Sequence, residues 1–146
     1  MQEGYSKNSV VSNIGDDVEI QKLITESVEF YIIDTKTAVF SPIISTYETK
    51  VDTLIKFRTD LSKDFISAED SLFYVENKSS FVRAADLELG DKLVCPTGDS
   101  IEYILSIHPC TPVDDAESTV VAIQHMNGDT MGYFINGVLV KNNSLI

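Results

Sequence analysis

The chain has 146 residues, 43% of them apolar and 23% charged, which is the make-up of one globular domain spanning residues 1–146. It is long enough to bury a core without disulfide staples. Its formal net charge of −12 repels phosphate backbones and sets nucleic acid aside as a partner. No apolar run approaches the roughly 20 residues that cross a bilayer, and Met1-Gln2-Glu3-Gly4 lacks the basic and apolar regions of a secretory signal. The expectation is a product that is not secreted and not held in a membrane: cytoplasmic, part of a particle assembled inside the cell, or a fragment of something larger.

The first elements are short. Ser9 to Ser12 reads as a strand, Asn13 to Asp16 as a turn, and Val18 to Ile20 as the returning strand. Ile20 to Ile24 suits a single helical turn leading into Glu29 to Asp34, whose aromatic and β-branched residues suit a strand. Thr37 to Ile44 is a less regular strand, with Pro42 marking an edge or a bulge. Lys50 to Arg58 carries the clearest alternation. Lys50, Asp52, Lys56 and Arg58 fall on one face and Val51, Ile55 and Phe57 on the other, which predicts one half-buried strand.

Asp60 to Asp64 is a turn, and Phe65 to Ala68 the partner strand. Leu72 to Glu76 and Phe81 to Arg83 flank a turn at Asn77 to Ser80, followed by one helical turn at Ala84 to Leu87. Glu88 to Val94 passes from a Gly turn into a strand, Pro96 to Asp99 turns, and Ile101 to Ile107 is a strand. Pro109 to Glu117, acidic and holding two prolines, reads as a surface loop. Ser118 to His125 is a strand and Asn127 to Asp129 a turn. Last comes Tyr133 to Asn143, two apolar runs around Asn136-Gly137, the strongest short-range signal for a type I′ hairpin turn. Many short strands, with no 3.6-residue apolar period sustained over ten residues, predict an all-β fold of antiparallel strands.

The side chains offer little ordinary catalytic or metal-binding chemistry. Two cysteines, Cys95 and Cys110, are too few for a disulfide framework and read as reduced thiols. His108 and Cys110 sit two apart, but Pro109 between them favours a turn over a shared strand face. His108 and His125 fall at predicted strand ends. No His or Cys spacing fits a metal site, no glycine-rich loop fits a phosphate, and no cofactor is implied.

Three stretches, in order, resemble the Hint fold shared by inteins and the autoprocessing part of Hedgehog proteins. Ser9-x-Val11, Gly15 and Val18-x-Ile20-x-x-Leu23 resemble the N-terminal intein motif. Ile66-Ser67-Ala68-Glu69-Asp70, Phe73-Tyr74-Val75 and Val82-Arg83-Ala84-Ala85-Asp86-Leu87-x-x-Gly90-Asp91-Lys92-Leu93 resemble the motif around the intein's buried histidine. Tyr133 to Asn142 resembles the C-terminal motif. The resemblance implies an all-β Hint fold, many short antiparallel strands in a flattened horseshoe.

It also implies where chemistry would sit. The first residue, a nucleophile in the family, falls at Gly4. The histidine that activates the upstream bond falls at Asp70, in the same motif as Ser67. The penultimate histidine falls at Lys141, a further histidine near Met131, and an acidic or Cys residue near Val121. The residue after the terminal asparagine is Asn143. Only Asn142 keeps its family identity. Plainer readings stand beside these: Asp70 as a turn residue, Lys141 as a charge guarding an edge strand, and Asn142-Asn143 as a polar chain end.

The resemblance therefore implies a degenerate intein-like domain, not competent for self-splicing, acting as a structural or protein-interaction module. Its partner would be a protein, either a host protein's flanks or an assembly partner. The alternative is a mini-intein, atypical or inactivated by mutation, that splices or cleaves by cyclisation of Asn142. A remote third reading is a Cys110-dependent hydrolase.

Overall fold

The computed structural model describes residues 3–7, 9–12, 17–22, 27–32, 34–43, 45–95, 100–124 and 131–141. The expected sites at Asn142, Asn143 and His125, and the expected turns at 13–16, 96–99 and 127–129, lie outside the described residues.

The strands are β1 (Tyr5–Ser6), β2 (Val10–Ser12), β3 (Asp17–Glu19), β4 (Ser27–Ile32), β5 (Thr37–Pro42), β6 (Ser45–Lys50), β7 (Leu54–Thr59), β8 (Asp64–Ala68), β9 (Leu72–Val75), β10 (Ser80–Arg83), β11 (Lys92–Cys95), β12 (Ser100–Cys110), β13 (Thr119–Gln124), β14 (Met131–Ile135) and β15 (Val138–Lys141). All pair antiparallel, in the order β3-β2-β14-β15-β9-β11-β12-β7-β8-β1-β13-β6, with β10 beside β9 and the β4–β5 hairpin against β14. Single 3₁₀ turns at Ile20–Lys22, Glu76–Lys78 and Ala84–Asp86, and one short helix, α1 (Asp115–Ser118), complete the described elements. The all-β expectation holds.

Three local expectations are corrected. Lys50 to Arg58 is not one strand: β6 ends at Lys50, the Val51 side chain turns into a small core with Leu54, Ala68 and Val120, and β7 begins at Leu54. Pro109 is not in a turn but inside β12, opposite Ile55. Beyond Ile104, β12 has a paired strand on one side only, and such an edge tolerates the missing N–H. The acidic loop contains α1, capped by the Asp114 carboxylate, which accepts the Glu117 N–H at 2.8 Å.

β12 ties the two halves of the sheet together. Its first residues pair with β11 and its last with β7, with an irregularity between Ile104 and Ser106. The core between the halves is aromatic. Phe57 and Phe65, cross-strand partners on β7 and β8, stack at 4.8 Å. Phe73 stands edge-on to Phe57 at 5.2 Å and to Tyr5 at 5.7 Å. Tyr133 stands edge-on to Tyr5 at 6.0 Å and to Phe30 at 6.3 Å. Each fully buried ring of this kind contributes about 2–3 kcal/mol by removal from water.

Candidate functional site

Short as it is, β1 is held on both sides: Tyr5 lies opposite Ser67 of β8 and Val121 of β13. Gly4 precedes it and is buried. The Gly4 N–H donates to Ser71 Oγ at 2.9 Å, and the same hydroxyl donates to the Gly4 carbonyl at 2.8 Å. That carbonyl also accepts the Ala68 N–H at 2.9 Å. Gly4 has φ +139°, a conformation that L side chains rarely adopt, and a Cβ there would lie 2.8 Å from Val120 Cγ2. Position 4 is a glycine by conformation and by space.

Ser71 closes a tight turn between β8 and β9. Its N–H donates to the Ala68 carbonyl at 3.3 Å, and its own carbonyl accepts the Ala84 N–H at 2.8 Å. The 3₁₀ turn at Ala84–Asp86 thus braces residues 68–71. Position 71 is the one sequence reasoning passed over. The signal was present: a short hydroxyl side chain directly after a turn, next to the motif expected to hold the N-terminal junction.

Asp70, expected at that junction, points elsewhere. Its Oδ1 accepts Arg83 Nε at 2.9 Å and Nη2 at 2.7 Å. This bond to Asp70 raises the Arg83 guanidinium further above its usual range. The turn-residue reading of Asp70 describes its place.

Ser67 is buried, with its Oγ unpartnered among the described residues. Lys141 lies opposite Leu72 of β9, its ammonium 5.6 Å from the centre of the Phe81 ring. Its strand is not an edge, since β15 runs between β14 and β9, so the edge-guard reading is corrected. Val121 is buried against Tyr5, and Met131 pairs with Ile32. His108 and Cys110 share a face of β12 opposite Lys56 and Leu54 of β7, and Cys110 packs on the small core of Val51, Leu54, Ala68 and Val120.

Around the junction lies a buried polar cluster. Glu3 is 3% exposed, and its Oε1 accepts the Tyr47 hydroxyl at 2.5 Å. The Tyr5 hydroxyl bonds to that of Tyr133, which also accepts the Ile123 N–H at 3.5 Å. Burial raises the pKa of both phenols well above their ordinary 10, and the neighbouring Glu3 adds to the shift in each.

The C-terminal hairpin closes on Asn136-Gly137, with φ +49° and +87°, as the type I′ reading requires. Two clamps hold it. Asn136 Oδ1 accepts the Val10 N–H at 2.8 Å, and the Asn136 N–H donates to the Val10 carbonyl at 2.8 Å. Lys63 Nζ donates to the Asn136 carbonyl at 3.0 Å and to Glu102 Oε2 at 2.7 Å. Glu102 is 1% exposed, and its other oxygen accepts the Thr59 hydroxyl at 2.7 Å.

The strands bring Gly4 and Lys141 to the same short turn. Residue 71 binds Gly4, and residue 72 pairs with Lys141. Gly4 is buried there, and two donors, the Ser71 hydroxyl and the Ala68 N–H, converge on its carbonyl. Yet Gly4 brings no nucleophile, and the Ser71 hydroxyl is committed to Gly4 itself.

No protein-family profile and no curated protein matches this sequence. Solved structures match it over nearly its whole length. The bacterial intein-like domain from Clostridium thermocellum superposes with a TM-score of 0.82 at 19% identity, covering 97% of this chain and 99% of that one. A DnaB intein from Synechocystis sp. PCC 6803 gives 0.78 at 15% identity, over 97% and 99%. An intein from a hyperthermophile gives 0.72 at 16%, over 97% and 99%. With its all-antiparallel strands in this order and the same path over nearly its whole length, the chain has the all-β Hint fold of these structures.

Proposed function

We propose that this Hint-fold domain does not splice and serves as a structural or protein-interaction module. The observation that carries this reading is position 4. Splicing in the family begins with a side-chain nucleophile at that place, and here the residue is glycine, with a backbone conformation and a Val120 contact that both oppose a side chain. Asp70 supports the same reading, because it is spent on Arg83 rather than on the Gly4 amide. The acidic surface suits a protein partner better than nucleic acid.

The test is to express the chain between two inert reporter proteins and follow intact mass over days at neutral pH, with and without added thiol. The expected result is one unchanged species. A ligated product of the two reporters, or thiol-induced release at Gly4, would overturn the reading.

One observation favours a second reading, cleavage at the C-terminal side alone. β15 is paired with β9 as far as Lys141, which lies opposite Leu72, the residue after the Ser71 that holds Gly4. In that reading the Asn142 side-chain nitrogen attacks its own carbonyl carbon, forming a succinimide and releasing the amino group of Asn143. The same experiment separates the two, since this route releases only the downstream reporter and leaves a succinimide at residue 142.

A further inference from the structure

We propose that Asn136 is a latent modification site: a succinimide-forming asparagine that the native hairpin holds inactive and that reacts when the hairpin opens. Asn-Gly is the dipeptide in which this reaction meets least hindrance, because the attacking nitrogen belongs to a residue without a side chain. The Gly137 nitrogen bonds to Asn136 Cγ, the Cγ–Nδ2 bond breaks, and ammonia leaves with the Gly137 proton. Water then opens the ring at either carbonyl, giving aspartate or isoaspartate.

Two contacts hold the asparagine in place. The Val10 N–H sits on Oδ1 at 2.8 Å and fixes the side chain. The Lys63 ammonium sits on the Asn136 carbonyl at 3.0 Å and fixes the peptide plane between Asn136 and Gly137. What forbids reaction is the turn itself. The φ values of +49° and +87° are those of a type I′ turn, in which ψ of the first central residue is about +30°. At that ψ the Gly137 nitrogen lies on the far side of the Cα–C bond from the Asn136 Cβ. Reaching Cγ requires rotating that bond, which pulls the carbonyl from Lys63 and the side chain from Val10. The clamps therefore gate the chemistry.

The product would not fit. Isoaspartate adds a carbon to the main chain of a two-residue turn, and the turn sets the pairing of Tyr133 with Val140 and Ile135 with Val138. Conversion would make a transient opening permanent.

The test is peptide mapping after incubation at mildly alkaline pH, comparing the folded chain with the chain in denaturant. In denaturant, Asn136 and Asn127, which is also followed by glycine, should convert at similar rates. In the folded chain, Asn136 should convert at least about tenfold more slowly than in denaturant, as expected where opening is the gate. The double variant K63M/E102Q removes the ammonium without stranding a buried carboxylate and should convert Asn136 faster than the wild type. Equal rates in the folded and denatured wild type would overturn the proposal. So would a well-folded double variant that converts no faster than wild type. If the double variant fails to fold, the wild-type comparison decides alone.

Discussion

The Ser71 hydroxyl both accepts the Gly4 amide hydrogen, at 2.9 Å, and donates to the Gly4 carbonyl, at 2.8 Å, although the two residues are 67 apart in sequence. Replacing Ser71 by alanine strands a buried N–H and removes one of the two donors on that carbonyl. The expected cost is about 2 kcal/mol, read as a lower urea midpoint at unchanged slope. A shift below about 0.5 kcal/mol would show that the hydroxyl is not needed there.

Gly4→Ala should cost about 1–3 kcal/mol, because the new Cβ meets both an unfavourable φ and Val120. Adding Val120→Ala relieves the contact but not the φ. The two changes should therefore couple favourably, by about 1 kcal/mol, in a double-mutant cycle. Gly4→Cys should remain uncleaved by thiol.

Asp70→Asn should cost about 1 kcal/mol, because the Asp70–Arg83 pair is partly exposed and the remaining amide oxygen can still accept from the guanidinium. A loss as large as that of Ser71→Ala would place Asp70 in the junction after all. Thermal unfolding of the two variants side by side separates these outcomes.

Lys63→Met should be among the costlier single changes, about 3 kcal/mol or more, because it leaves the Glu102 carboxylate buried without its cation. Making Glu102→Gln in the same chain should recover part of that loss. Urea unfolding of both variants tests the order.

Alkali should destabilise the fold. Tyr5 and Tyr133 have folded-state pKa values raised above the ordinary 10, so above that pH the unfolded chain releases protons that the folded chain retains. Their stabilisation is complete below pH 10 and declines as the pH rises past it. The unfolding midpoint should therefore fall above about pH 10, less steeply in Tyr5→Phe. A midpoint independent of pH in that range would contradict the burial of the two hydroxyls.

The parts legible in the sequence were those fixed by local chemistry. Asn136-Gly137 announced its turn because both residues need positive φ, and strands such as β4, β9 and β15 announced themselves by β-branched and aromatic runs. Less legible was anything decided by tertiary pairing. The alternation from Lys50 to Arg58 is real, yet Val51 leaves the line to fill a second small core. Pro109 reads as a turn in the sequence, because only the pairing of β12 shows that it lies inside a strand with a partner on one side. Asp70 and Ser71 differ by one place, and which of them meets Gly4 depends on the pitch of a turn braced by residues 84–86. The clamp of Lys63 on Asn136 spans 73 residues and left no sequence signal.

The turn at residues 68–71 has one more consequence. Gly4 engages the turn's last residue, Ser71, and Lys141 pairs with the next one, Leu72, so residues 4 and 141 are brought to neighbouring places. Joining residues 4 and 141 by a short linker and opening the chain at an exposed loop elsewhere should therefore leave the fold intact.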